Sequence, residues 1–117
     1  MKATELRIGN YVEFNMHEPN YHHPIEDGID IDNADIWNPI PLTEEWLLKF
    51  GFCQSEKDEV YYDGLFNYAL NSYKSIWHFY AHNEVNGNKW FLRDLQYVHQ
   101  LQNLYFALIG EELIIKP

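Results

Sequence analysis

The sequence predicts an α+β domain in which two helices pack on one face of an antiparallel β-sheet. Three observations lead to this class. Aromatic and β-branched residues dominate residues 60–94, with turn-forming dipeptides between them, and helix signals surround residues 43–51 and 96–109. The chain has 117 residues, of which 46% are hydrophobic and only 22% charged. That apolar content excludes disordered and collagen-like classes, so we expect residues 1–117 to form a single domain.

The first 41 residues predict a hairpin followed by a long loop. Residues 6–8 and 11–14 alternate as strands on either side of Gly9-Asn10, which favours a turn. Residues 16–41 contain four prolines and three histidines, so we expect a variable acidic loop there with little regular structure. Within it, residues 29–32 alternate at period two and predict one short edge strand.

Two helices follow from capping signals. The first begins after Thr43 as N-cap, with Leu42 and Leu47 spaced as a hydrophobic staple, and ends at Gly51. Its apolar side predicts Trp46, Leu47 and Phe50 in the core.

The second helix is predicted from Gln96 to Ile109, with Asp94 as a possible cap and Gly110 ending it. Its predicted buried stripe is Val98, Leu101, Leu104, Tyr105 and Leu108. The opposite side has no charged residue and consists of His99, Gln100, Gln102 and Asn103. This predicts either burial inside the monomer or a homodimer contact through residues 96–109. Residues 113–115 favour a final strand.

Asn86-Gly87 predicts a two-residue type I′ turn, with Ala81 opposite Leu92 and Tyr80 opposite Arg93. One face of this hairpin is then apolar and predicted to be buried: Trp77, Phe79, Ala81, Trp90 and Leu92. The other face gathers polar side chains that suit an anionic ligand: His78, Tyr80, His82 and Arg93. A ligand-binding or enzymatic module using that face is therefore an alternative function.

The distribution of charge is the feature that bears most on partners. The chain has a formal charge of −10, and between Arg7 and Lys49 there are nine acidic residues and no lysine or arginine. Such a field disfavours direct binding to nucleic acid and favours docking on basic protein surfaces, although net charge also serves solubility alone. The predicted partner-binding residues are Glu26, Asp27, Asp30, Asp32, Asp35, Glu44 and Glu45.

Other chemistry is not expected from this sequence. His17, His22 and His23 form the best metal-ligating cluster, but their spacing defines no tetrahedral site, so we expect no metal and no cofactor. No catalytic motif occurs, which favours a non-enzymatic protein. Cys53 is expected to be a half-buried structural thiol. Apolar runs are too short for a membrane span and no signal pattern precedes them, so we expect a cytoplasmic protein.

Three blocks of sequence, at residues 2–12, 39–52 and 97–108, read KATELRIGNYV, PIPLTEEWLLKFGF and YVHQLQNLYFAL. They cover about a third of the chain and resemble a family of small proteins encoded by phages, prophages and other mobile elements. The resemblance carries no activity or catalytic residue. It implies a bacterial host and a module that inhibits a host or rival defence protein, of the anti-CRISPR or anti-restriction type. Residues 14–38 depart from the family pattern, so we expect a specific partner to be recognised there.

Overall fold

The computed structural model describes residues 6–14, 22–26, 28, 31, 37–56, 59–64, 67–83 and 85–116. It divides the chain into two compact units. We call residues 1–41 with 97–114 the terminal unit, and residues 42–96 with 115–117 the central unit. The α+β class is confirmed, but the described strands form two antiparallel sheets, where one was predicted.

The described residues contain eight strands and two α-helices that have at least six residues each. In chain order they are β1 (Tyr11–Phe14), β2 (His22–Pro24), β3 (Trp37–Asn38), α1 (Glu44–Lys49), β4 (Cys53–Gln54), β5 (Tyr61–Tyr62), β6 (Tyr68–Tyr73), β7 (Ile76–His82), β8 (Lys89–Leu95) and α2 (Val98–Ile109).

The terminal unit contains a three-stranded sheet with the order β2-β1-β3. Both neighbours run antiparallel to β1, which pairs Val12 with His23 and Phe14 with Trp37. The apolar core of this region consists of four residues that lie in or beside the three strands: Leu6, Val12, Ile25 and Trp37. The predicted strand at residues 11–14 is thereby confirmed.

Three expectations for this region differ from the structure. Residues 6–8 form no strand, because the Asn10 side chain accepts a 2.6 Å hydrogen bond from the Arg7 amide and closes a tight turn before β1. The partners of β1 come from residues 16–41, which the prolines had marked as loop. Of the predicted edge strand at residues 29–32, Ile31 alone is described, and the other three residues lie outside the described residues. Ile31 is helical and packs against the core.

The central unit contains the predicted antiparallel meander, with the order β4-β5-β6-β7-β8. The turn between β6 and β7 lies at Lys74-Ser75, whose φ angles of 51° and 67° are both left-handed. Asn71 and Ser72, which had indicated a turn, lie inside β6. The turn thus falls three residues later than its sequence signal.

Helix α1 follows the sequence closely. The Thr43 side chain accepts a hydrogen bond of 3.4 Å from the Trp46 amide, which confirms the predicted N-cap. Trp46, Leu47 and Phe50 are buried as expected. Gly51 follows with φ of 92°, a left-handed conformation that ends the helix.

The loop between β7 and β8 is longer than predicted. The Asn83 amide donates to the Asn88 carbonyl at 2.8 Å, so four residues separate the last pair. The Asn83 side chain accepts from the amides of Val85 and Asn86 at 2.9 and 3.3 Å, a local bond that starts the turn early. The predicted register is therefore wrong by two residues, and Ala81 lies opposite Trp90.

A β-bulge then changes which residues of β8 share a face. Tyr80 pairs with Phe91 and Phe79 pairs with Arg93, so Leu92 is an extra residue in β8. Arg93 therefore lies on the face of Phe79, while Asp94 lies opposite His78.

The predicted burial of Trp90 is also wrong. Trp90 is 52% exposed on the edge strand β8, and Leu92 is exposed beside it, whereas Trp77 and Phe79 are buried as predicted. An edge strand lacks a neighbour that would cover its side chains, so apolar character alone did not ensure burial.

Helix α2 begins two residues later than predicted, because Asp94 belongs to β8 and Tyr97 is the N-cap. Gly110, with φ of 82°, ends it as expected. The buried face is rotated from the apolar stripe: His99 and Gln102 are buried and Leu108 is exposed.

Residues 113–115 form no strand, although Leu113 is buried. Neither helix of the described residues has the length and apolar character that crossing a bilayer requires.

Candidate functional site

The predicted acidic site is described only in part. Glu26 is exposed after β2 in the terminal unit, and Glu44 and Glu45 are exposed in the first turn of α1 in the central unit. The other four predicted residues lie outside the described residues: Asp27, Asp30, Asp32 and Asp35.

The two acidic residues of α1 differ in their surroundings. The Glu45 carboxylate lies 3.4 Å from the Lys49 ammonium, one helical turn along. Lys49 also lies over the Trp46 ring, 4.8 Å from its centroid. Glu44 instead accepts a hydrogen bond from the Tyr61 side chain. Glu44 therefore interacts with β5, whereas Glu45 interacts with a residue of its own helix.

The acidic charge is concentrated in the terminal unit. Its residues include ten acidic and two basic side chains, a formal charge of −8, whereas the central unit has eight acidic and six basic, a formal charge of −2. Most of the formal charge of −10 thus belongs to the terminal unit.

The predicted anion face does not form. His78, Tyr80 and His82 alternate along one face of β7 as expected, but the bulge moves Arg93 to the other face. The ring of His78 has its Nδ1 2.6 Å from a carboxylate oxygen of Asp94 instead. Phe91 packs against both His78 and Tyr80, with ring centroids 6.0 and 5.8 Å apart. A carboxylate and a ring therefore replace the expected guanidinium.

The polar side of α2 is used inside the terminal unit. The fully buried Gln102 side chain accepts from the Tyr11 amide at 2.9 Å and donates to the carbonyls of Gly9 and Leu113 at 2.9 and 3.1 Å. Two of these bonds satisfy backbone groups beside the turn at residues 8–10, and the third satisfies the Leu113 carbonyl after α2. Of the two interpretations of the uncharged helix side, burial within the chain is the one observed for Gln102 and His99.

Arg7 extends the same network. Its guanidinium donates to Asn103 Oδ1 at 2.9 Å, to the Gln102 carbonyl at 3.1 Å and to both oxygens of Glu112. It also lies 4.3 Å from the centroid of the Phe106 ring. Arg7 therefore connects the segment before β1 to α2 and to Glu112.

A cavity of about 550 Å³ opens in the central unit. Four aromatic residues are among those at the cavity: Tyr61, Tyr73, Trp77 and Tyr80. Most of the remaining lining residues are polar, such as Gln54, Asn71 and Ser72. The ring of Tyr61 meets Trp77 edge-on, with centroids 5.7 Å apart, and the Trp77 indole N–H donates to the Leu42 carbonyl at 2.8 Å. Both side chains are buried, so they offer little surface to the cavity.

The same cavity carries two carboxylates from different elements. Glu44 lies on α1, and Glu59 lies between β4 and β5 with a left-handed φ of 57°. Burial raises the pKa of Tyr61, and the hydrogen bond to Glu44 and the charge of Glu59 raise it further. Among the described residues that line the cavity there is no lysine or arginine. The described lining of the cavity therefore carries two carboxylates and a mainly polar surface.

Sequence reasoning found Glu44, His78 and Tyr80 but missed the cavity they line. Glu59, Tyr61, Tyr73 and Trp77 come from separate elements, and no local spacing connects them. The one available signal was the density of tyrosine and tryptophan in residues 61–80.

Candidate metal ligands do not converge in the part of the chain that is described, where no group of three histidine, cysteine or acidic side chains lies together. His17 is outside that part, and His22 and His23 belong to β2. Cys53 is exposed in β4, so its expected half-burial is wrong. It follows Phe52, whose burial anchors the end of α1, and its own side chain faces outward.

No family model, curated protein or solved structure matches this chain.

Proposed function

We propose that this chain is a non-enzymatic, acidic protein-binding module of a mobile genetic element. Its acidic segment, residues 13–45, docks on the basic surface of a host protein that handles nucleic acid. A bacterial defence nuclease is such a protein, and occupying its groove inhibits it in the manner of an anti-CRISPR or anti-restriction protein.

The observation that carries the proposal is the one-signed run of charge. Nine acidic residues fall between Arg7 and Lys49 with no basic residue among them. Four of the nine are described: Glu26, Glu44 and Glu45 are exposed, and Glu13 is half-buried. A basic groove shaped for phosphates attracts such a surface, and the attraction speeds association. The resemblance of residues 2–12, 39–52 and 97–108 to mobile-element proteins supports a host or rival protein as the target.

The geometry favours this function over anion binding at the sheet. Asp94 and Phe91 occupy the surroundings of His78 where the alternative requires Arg93. A carboxylate beside the histidine repels an anion, so the alternative has lost its main attractive group.

The test measures how charge affects association. The tagged protein is used to capture partners from bacterial lysate, the captured protein is purified, and its association rate is measured at low and high salt. Replacing Asp30, Asp32 and Asp35 by asparagine is expected to slow association about tenfold at low salt and to change dissociation less.

The control changes charge equally elsewhere. The triple variant Glu56→Gln, Asp58→Asn and Glu84→Gln removes three charges from the central unit and is expected to leave association near that of the wild type. Equal slowing by both variants shows that net charge alone acts, and an association rate that ignores the first variant refutes the proposed docking. Capture of no protein with a basic surface also refutes it.

A further inference from the structure

We propose that the exposed edge of β8 is a second docking surface, which binds an acidic segment of a partner protein. The surface consists of five consecutive exposed residues, and we call it the β8 patch: Lys89, Trp90, Phe91, Leu92 and Arg93. It uses no residue of the acidic segment 13–45, so this inference does not rest on the proposed function.

The β8 patch exposes three large apolar side chains in succession. Trp90, Phe91 and Leu92 are each at least 42% exposed, although the neighbouring strand β7 buries Trp77 and Phe79. Aromatic residues and arginine are enriched at protein–protein interfaces, and tryptophan and arginine are among the residues that most often dominate the binding energy. An exposed run of this composition is typical of a docking surface.

The charge of the β8 patch determines the kind of partner. In a chain with a formal charge of −10, residues 85–93 contain two cations, Lys89 and Arg93, and no acidic residue. The carboxylate of Asp94, the next residue, lies 2.6 Å from His78 Nδ1. The β8 patch is therefore a basic surface on an acidic protein, and the complementary partner carries carboxylates.

The surroundings of Arg93 are a separate observation. Arg93 and Trp90 lie on the same face of the sheet, because they pair with Phe79 and Ala81, two residues apart on β7. Within the described part of the chain, the Arg93 guanidinium makes no hydrogen bond, ion pair or ring contact, whereas that of Arg7 has a carboxylate partner. A guanidinium in this position can bind a carboxylate through two N–H groups while an apolar side chain of the partner packs on the indole.

A single-stranded nucleic acid is the other anion that aromatic and basic residues bind, and the geometry disfavours it. Phe91 pairs with Tyr80 and lies on the opposite face of the sheet from Trp90, so successive bases cannot stack on both rings along one face. Two cations neutralise few phosphates, and the net charge of the chain repels a polyanion. Because the bulge at Leu92 interrupts regular strand pairing, we assign recognition to the side chains of the patch.

The experiment titrates the intact protein with an acetylated and amidated eight-residue peptide that alternates glutamate with leucine. Backbone amide signals of residues 89–93 are followed by NMR. The matched probe has glutamine in place of every glutamate. We expect saturable shifts with a dissociation constant of about 1 mM for the acidic peptide, and binding of the neutral peptide at least about tenfold weaker.

Two pairs of variants test the residues of the β8 patch. Arg93→Gln and Trp90→Ala are each expected to weaken binding of the acidic peptide about tenfold, since they remove the carboxylate donor and the apolar anchor. Lys74→Gln removes the same charge at the exposed β6–β7 turn, and Tyr73→Ala removes the exposed ring next to it. Both of these control variants are expected to retain wild-type affinity. Thermal melting verifies that all four variants remain folded.

Several outcomes would overturn the assignment. They are equal binding of both peptides, equal effects of Arg93→Gln and Lys74→Gln, and the absence of a saturable shift. Tighter binding of an eight-nucleotide oligothymidylate than of the acidic peptide would identify a nucleic-acid surface instead. Self-association in sedimentation velocity that Arg93→Gln abolishes would identify a second copy of this chain as the occupant.

One further variant separates this inference from the proposed function. The triple replacement of Asp30, Asp32 and Asp35 by asparagine is expected to bind the acidic peptide as the wild type does, because it leaves the β8 patch unchanged. Loss of peptide binding in that variant would contradict the assignment to β8. Either proposal can therefore fail while the other holds.

Discussion

The terminal and central units differ in where their most informative polar and apolar residues lie. The terminal unit buries amide side chains such as Gln102 and Asn10 and carries a formal charge of −8. The central unit exposes large apolar side chains on β8, among them Trp90 and Phe91, and carries only −2.

The difference shows that polarity does not by itself identify function. The uncharged polar residues of α2 looked available for a partner, yet Gln102 bonds to three backbone groups of its own unit. Trp90 and Leu92 of β8 looked like core, yet both are exposed. In the terminal unit a polar side chain is thus buried, and in the central unit apolar side chains of an edge strand are exposed.

The largest effect expected from this comparison lies within the central unit, between its two tryptophans on β7 and β8. Trp77 is 6% exposed and Trp90 is 52% exposed. Trp77→Ala should cost about 3–5 kcal/mol of unfolding free energy, as large aromatic truncations in a core do. Trp90→Ala should cost about 1 kcal/mol or less, because half of the ring already contacts water. Urea denaturation measures both, and equal losses would show that β8 is covered.

A smaller effect is expected in the terminal unit. Gln102→Ala removes three hydrogen bonds, one that the side chain accepts and two that it donates. The Tyr11 amide and the carbonyls of Gly9 and Leu113 each lose this bond. The expected cost is about 2–4 kcal/mol, since buried polar groups are expensive to leave unsatisfied.

The exposed Gln54 provides the control for Gln102. Its side chain makes a long 3.5 Å bond to the Glu59 carbonyl, and Gln54→Ala should change the unfolding free energy by about 0.5 kcal/mol at most. If the two alanine variants are equally stable, the network around α2 contributes nothing and the contrast between the units fails.

The smallest effect concerns alkaline pH and Tyr61. Because burial raises its pKa above 10.0, the folded state holds the phenol proton more tightly than the unfolded state does. This contribution to stability is complete below the unfolded-state pKa and is lost as pH rises through the folded-state value. Unfolding free energies of Tyr61→Phe should therefore decline less than those of the wild type above about pH 10. Tyr73→Phe, at an exposed tyrosine, is the control, and parallel curves for Tyr61→Phe and the wild type would contradict the assignment.

Local signals predicted the parts of the fold that depend on local chemistry. The Thr43 cap, the left-handed Gly110 and the meander of residues 60–94 need only neighbouring residues, and all three are confirmed. The hairpin at Asn86-Gly87 was located correctly, but the Asn83 side chain lengthened its loop. The Asn83 side chain bonds backbone amides that would otherwise be free to pair across the hairpin. A turn dipeptide such as Asn86-Gly87 carries no information about this competition.

The rest required knowledge of neighbours in space. The bulge at Leu92 decides the face of Arg93, and nothing in the sequence of β8 marks an extra residue there. Gln102 is buried because three backbone groups need it, which becomes visible only once β1 and α2 are placed. The cavity likewise joins Glu44 to Glu59 and Trp77 across several elements. Some of its residues were singled out from the sequence, but the sequence did not predict that they lie close together.

The bulge at Leu92 also bears on aggregation. An edge strand with exposed aromatic residues is a template on which other strands can add, and repeated addition produces insoluble assemblies. In β8 the extra residue interrupts the regular spacing of free amide and carbonyl groups, and Lys89 and Arg93 are placed on either side of it. A second copy adding to this edge would have to accommodate the extra residue at Leu92, which disrupts a regular ladder. The strand thus keeps its aromatic side chains in water while its own backbone discourages polymerisation.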